Sequence, residues 1–158
     1  MPIIHIKTDN TIHADIYFWK IEENAMELSD IIADGGTMLS QAQERFRSTK
    51  RQREWLATRA LLMQTQYRDT GIQYRSNGQP YLADSSMHIS ISHTAEFVAV
   101  AIAGTPVGID IETKNRNALA VSNAFLQPHE AETLQGNTDW DKEALRIWTA
   151  KEAAFKLY

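Results

Sequence analysis

The sequence predicts an α+β protein in which helices pack on small, mostly antiparallel sheets. Three observations lead there. Residues 87–92 and 107–112 alternate apolar and polar side chains with the two-residue period of a strand. Residues 50–69 and 143–158 have the composition and spacing of helices. Between them, Asn77-Gly78 is a strong hairpin signal.

The 158 residues are enough to bury a core, either as one domain or as two closely packed halves. A hydrophobic content of 43% and a charged content of 23% suit a soluble globular chain. With 16 Lys and Arg against 20 Asp and Glu, the chain lacks the basic surplus that a nucleic-acid binder needs. The absence of cysteine excludes disulfides, thiol catalysis and cysteine-ligated metal. No apolar run reaches membrane length and the N-terminus has no signal-peptide core, so the expected location is the cytoplasm, with no membrane partner.

In chain order, residues 3–6 and 12–19 read as two strands around the turn-prone Asp9-Asn10, with His5 and His13 structural or solvated. Residues 21–37 are acidic, then glycine-rich, and carry no functional signal. Ser40-Gln41-Ala42-Gln43 has the form of a capping box opening a short helix. In the helix over 50–69, Trp55, Leu56, Leu62, Met63 and Tyr67 are available for a core. Arg45, Arg47, Lys50, Arg51, Arg53, Arg59 and Arg68 make this region locally basic in an acidic chain. That pattern attracts anions or simply forms a solvated helix face. In residues 87–92, Ile89 and Ile91 share one face and His88, Ser90 and Ser92 the other. The neighbours Ser92 and His93 diverge, and no Gly-x-Ser-x-Gly elbow is present, which argues against a hydrolytic triad. Residues 97–102 are almost wholly apolar and read as a central strand, with 107–112 returning antiparallel to it after a turn at 103–106. Helices follow over 118–125 and from Pro128 to Gly136, and Asp139 or Asp141 caps the last helix. His129-Glu130-Ala131-Glu132 lacks the second histidine of a zinc motif.

Two stretches carry chemistry. In Val107-Gly108-Ile109-Asp110-Ile111-Glu112, the isoleucines point one way and the two acids the other. Adjacent carboxylates repel unless a cation lies between them, and magnesium, which prefers oxygen ligands, is the natural candidate. The bland alternative is a half-buried strand with two acids on its wet face. In the last helix, Leu145, Trp148, Glu152 and Phe155 form one stripe, which places an acid on the side facing the protein. Asp110, Glu112 and Glu152 would then make a three-carboxylate site. The alternative for Glu152 and Lys156 is a surface ion pair worth about 0.3 kcal/mol.

Gly108-Ile109-Asp110-Ile111-Glu112, followed by Trp148-Thr149-Ala150-Lys151-Glu152-Ala153-Ala154-Phe155-Lys156, resembles the paired signature of the 4′-phosphopantetheinyl transferases. About a hundred residues precede Gly108, which matches the longer, two-halved, surfactin-synthetase-activating type. The resemblance implies two pseudo-related α/β halves, residues 1–103 and 104–158, the second carrying the metal site. Members of that branch usually continue with further strands, so the second half, stopping at Tyr158, is expected to be incomplete. The implied reaction moves the 4′-phosphopantetheine arm of coenzyme A to a serine of an apo acyl or peptidyl carrier protein, with Mg2+, by a monomer. Asp110, Glu112 and Glu152 would hold the metal, Glu152 or Asp110 would act as base, and Lys156 would stabilise the leaving phosphate. Arg53 best matches the arginine that binds coenzyme A, with Lys50 and Arg59 as further candidates. Ser92 and His93 match the phosphate-binding motif, and Gly78 and Pro80 match the Gly-Lys-Pro or Gly-Arg-Pro turn. Gln79 stands where that turn has its cation, so the amide offers phosphate a hydrogen bond without charge. Two alternatives are a non-catalytic relative that binds coenzyme A or a carrier protein, and a metal-dependent phosphohydrolase.

Overall fold

A computed structural model describes residues 3–7, 13–134 and 139–157. Its elements run in chain order as β1 (Ile4–Lys7), β2 (Ala14–Lys20), α1 (Ala25–Ile31), α2 (Gly35–Arg45) and α3 (Thr49–Met63). Then come the hairpin β3 (Ile72–Tyr74) and β4 (Pro80–Leu82), and the strands β5 (His88–His93) and β6 (Phe97–Ala103). A 3-10 turn (Leu119–Val121), α4 (Ser122–Phe125), α5 (Pro128–Leu134) and α6 (Trp140–Phe155) complete the order. The class is α+β with small antiparallel sheets, as the sequence predicts. The expected turn at Asp9-Asn10, the strand start at Ile12, the helix end at Gly136 and Tyr158 lie outside the described residues.

The main sheet has the order β1-β2-β6-β5, all antiparallel, so β6 is interior, as its apolar run requires. Its two faces are sorted by the two-residue period. Tyr17, Trp19, Ile89, Val98, Val100 and Ile102 face the larger core with α3, whose Leu56, Ala57, Ala60 and Leu61 are fully buried. Ala99, Ala101, Ile16 and Phe18 face the other way and meet Val107, Ile109 and Ile111. A third, small cluster joins Ala118, Leu134 and Ala144 under Phe125, Trp140 and Leu145.

Four sequence expectations change here. Residues 107–112 form no strand with β6, because β2 and β5 already occupy both edges of β6. The segment instead crosses the second face of the sheet, so its alternation records which side chains, Ile109 and Ile111, turn toward the sheet and not ladder pairing. The helix expected over 50–69 ends at Met63, where the buried Thr65 hydroxyl donates to the Leu62 carbonyl at 2.8 Å and competes with further helix. Ser40 lies inside α2, bonded to the Gly36 carbonyl; the capping box belongs to Asn24 and Glu27 at the start of α1. Residues 118–125 divide into the 3-10 turn and the one-turn α4.

Candidate active site

The site forms where α3, the β3–β4 hairpin, β5 and the end of α6 converge on a cavity of about 560 Å3. That size suits a small-molecule ligand. From α3 come Arg51, Glu54, Trp55 and Thr58, spaced i, i+3, i+4 and i+7, so that one helix face forms a wall. Asn77, Gly78, Gln79 and Pro80 supply the hairpin rim. Gly78 adopts a φ of 86°, a backbone conformation that needs glycine, and the Asn77 side chain accepts a hydrogen bond from the Gln79 amide at 3.0 Å. Arg45 covers Tyr74 with its guanidinium 5.2 Å from the ring centre. A second cavity of about 300 Å3 lies beyond Lys156, and the two share Gln79, Pro80, Ile89 and Lys156.

The charge in the cavity is organised around a buried acid. Glu54 is 4% exposed, with Oε2 3.1 Å from Arg51 Nη1 and 3.5 Å from His93 Nδ1. Arg51 also reaches His93 Nε2, at 3.2 Å. Burial pulls the His93 pKa down, opposed by the Glu54 carboxylate and reinforced by Arg51 and Lys156. Arg59, from the same helix, stacks 3.3 Å over the Trp55 ring, and burial lowers its pKa to about 10.

The acidic segment is fixed from beneath by β5. The Ser90 and Ser92 hydroxyls accept hydrogen bonds from the Ile109 and Ile111 amides at 3.1 and 3.2 Å, and Ser92 Oγ donates to Asp110 Oδ1 at 2.9 Å. From above, α6 presses directly on Gly108, where a Cβ would lie 1.9 Å from the Ala153 carbonyl oxygen. This contact brings Lys156 over the segment, donating to the Ile109 carbonyl at 3.0 Å and to Asp110 Oδ1 at 2.8 Å. The two halves of the sequence signature thereby meet.

Their acids do not meet in the expected way. Among the described residues, no group of three or more His, Cys, Asp or Glu side chains is placed to hold a metal. Asp110 pairs with Lys156 and Glu112 with Arg116, so lysine and arginine stand beside the acids that repulsion would otherwise separate. Lys156 bonds to Asp110 rather than to Glu152. One observation favours a cation nonetheless: Asp110 Oδ2 is buried and has no hydrogen-bond partner, which is costly for a carboxylate oxygen unless a cation or donor arrives.

Of the other residues read from the sequence, His93, Gly78, Pro80 and Lys156 line the cavity. Ser92 does not; it points to the opposite face of β5 from His93, and its hydroxyl holds Asp110. Arg53 and Lys50 are absent from the wall. Arg53 donates to the Glu23 and Ile21 carbonyls at 3.0 and 3.2 Å, tying α3 to the chain after β2. Lys50 is largely exposed and 3.8 Å from Glu54. Phe155 was expected to face the protein, yet it is 79% exposed at the cavity rim, beyond the cluster that holds Leu145. Sequence reasoning missed Arg51, Glu54 and Ser90 as site residues. The helical register running from Trp55 to Arg51 and Thr58 was the available signal for the first two.

Residues 106–158 match the family model of the 4′-phosphopantetheinyl transferase superfamily. The chain is similar to these transferases. It is 31% identical over 107 residues, 65% of its length, to 4′-phosphopantetheinyl transferase gsp of Aneurinibacillus migulanus. It is 32% identical over 85 residues, 50% of its length, to a 4′-phosphopantetheinyl transferase of Bacillus subtilis. The corresponding match to 4′-phosphopantetheinyl transferase psf-1 of Bacillus pumilus is 34% over 84 residues, 51% of the chain. These matches cover 45%, 37% and 36% of the relatives' own lengths, so the chain spans less than half of each. No helix among the described residues is long and apolar enough to cross a membrane.

Proposed function

We propose that the chain carries the site of a 4′-phosphopantetheinyl transferase, which moves the phosphopantetheine arm of coenzyme A to a serine of an apo acyl or peptidyl carrier protein. The observation that carries this reading is the contact between Lys156 and Asp110, which joins the two signature motifs at the edge of a cavity with cationic walls. In this reading the serine hydroxyl attacks the phosphorus bearing the pantetheine arm. The bond from that phosphorus to the bridging oxygen breaks, and adenosine 3′,5′-bisphosphate leaves. Glu152, or Asp110 through a water, takes the serine proton. Lys156 and Arg51 neutralise charge on the phosphates, and His93, Gly78 and Pro80 form the wall against the nucleotide end. Asp110, Glu112 and Glu152 are the residues that would hold magnesium, and the orphaned Asp110 oxygen fits that role. Magnesium, when bound, supplies neutralisation of the pyrophosphate oxygens. The halves 1–103 and 104–158, and action as a monomer in the cytoplasm, belong to the same reading.

Intact mass spectrometry tests it. An apo carrier protein is incubated with the chain, coenzyme A and magnesium, beside Asp110→Ala and Glu152→Gln. A gain of one phosphopantetheine arm that is lost in both variants supports transfer. Unchanged turnover in Glu152→Gln would remove that residue from the metal and base roles. A second reading, a relative that binds coenzyme A or a carrier protein without turnover, is favoured by the pairing of Asp110 and Glu112 with Lys156 and Arg116. Coenzyme A binding with no mass gain on any carrier would select it.

A further inference from the structure

We infer that Glu54 is a positioning residue, a buried carboxylate that fixes the Arg51 guanidinium and the His93 ring in one arrangement on the cavity wall. The inference concerns the same cavity and, for its ligand, rests on the coenzyme A reading above. An acid in the wall of a cavity whose other charged side chains are Arg45, Arg51 and Lys156 is at first sight misplaced. It repels the phosphates that those cations attract, and burying it is costly unless it is paired. Its contacts supply the reason for its presence.

Glu54 Oε2 lies 3.1 Å from Arg51 Nη1 and 3.5 Å from His93 Nδ1, while the same Arg51 nitrogen lies 3.2 Å from His93 Nε2. The three side chains close a ring that ties α3 to the end of β5. A guanidinium only donates, so His93 Nε2 is the acceptor and the ring proton sits on Nδ1, facing Glu54. Arg51 is otherwise more than half exposed, and its long side chain would sample many rotamers without the carboxylate. Glu54 thus presents one ordered cation and one imidazole of fixed tautomer to the cavity. The charged groups facing His93 are Glu54 and Arg51 from α3 and Lys156 from the end of α6. Glu54 favours the imidazolium; the other two disfavour it.

The test uses the full chain without ligand, following the His93 ring by NMR through a pH titration, its signal assigned by loss in His93→Gln. Glu54→Gln keeps the shape and removes the charge, and it is expected to lower the His93 midpoint by about one pH unit. Arg51→Met is expected to raise it. By calorimetry with coenzyme A, Glu54→Gln is expected to weaken binding about tenfold although it removes a negative charge from an anion site, with Glu54→Asp partly restoring it. An unmoved His93 midpoint, or coenzyme A binding that is unchanged or tighter in Glu54→Gln, would overturn the assignment. Should Glu54→Gln fail to fold, Arg51→Met carries the test, and an unmoved midpoint there also overturns it. Failure of the unaltered chain to bind coenzyme A would overturn the function proposed above, whereas the ligand-free titration still decides the role of Glu54.

Discussion

The contact that joins the two motifs is open to a direct energetic test through Lys156→Met, Asp110→Asn and the double variant. The Asp110 side chain is 9% exposed and the Lys156 side chain 29%. Removing one partner of a fully buried pair costs about 3–5 kcal/mol, because a charge is left uncompensated. Lys156 is partly solvated, so screening reduces the expected cost of Lys156→Met to about 2–3 kcal/mol. Asp110→Asn keeps an acceptor for Ser92 and leaves a lysine that can reach water, so its cost is about 1 kcal/mol. The double variant should lose only about 2 kcal/mol, which corresponds to a coupling of about 1–2 kcal/mol. For a chain of this size, Lys156→Met then lowers Tm by roughly 4–10 °C. Urea denaturation followed by circular dichroism measures all three. A coupling below about 0.5 kcal/mol would mean that the two side chains do not pair in solution, and the junction of the motifs would lose its physical basis.

Further outcomes follow from the same geometry. Gly108→Ala forces a Cβ against the Ala153 carbonyl, so α6 must shift, at a cost of about 2–4 kcal/mol visible as a lower Tm. Arg51→Met should weaken coenzyme A binding about tenfold or more, whereas Arg53→Met should lower stability with the calorimetric Kd unchanged. Burial holds the His93 pKa below its ordinary value, so below about pH 6.5 the unfolded chain binds more protons than the folded one. Stability should therefore rise with pH through the window that ends near about 6.5 and be lost as pH falls, with a shallower slope in His93→Gln when urea midpoints are compared. Magnesium chloride should raise the Tm of the unaltered chain but not that of Asp110→Asn, if the orphaned Asp110 oxygen takes a cation.

Local rules reach as far as local periodicity does. Alternation in residues 88–93 marks which side chains go to which face, because strand geometry admits only two directions. The Asn77-Gly78 turn was equally legible, since only a glycine accepts that φ cheaply. The signature residues of 108–112 and 148–156 carried the resemblance to the 4′-phosphopantetheinyl transferases, and residues 106–158 match the family model of that superfamily. Register along α3 was legible in principle, yet naming one arginine among seven basic residues required knowing which helix face meets β5. Arg53 and Arg51 are two residues apart, which on a helix is more than half a turn of rotation.

By itself the sequence determined the α+β class, the main strands, the hairpin turn and the approach of the last helix to the acidic segment. Only the tertiary structure decided that 107–112 crosses the face of the sheet, because β2 and β5 fill both edges of β6. It also decided that Lys156 and Arg116 stand beside Asp110 and Glu112, and that Ser90 and Ser92 hold the acidic segment. Periodicity fixes the direction in which a side chain leaves its own element, but the partner that it meets depends on packing between residues far apart in the chain.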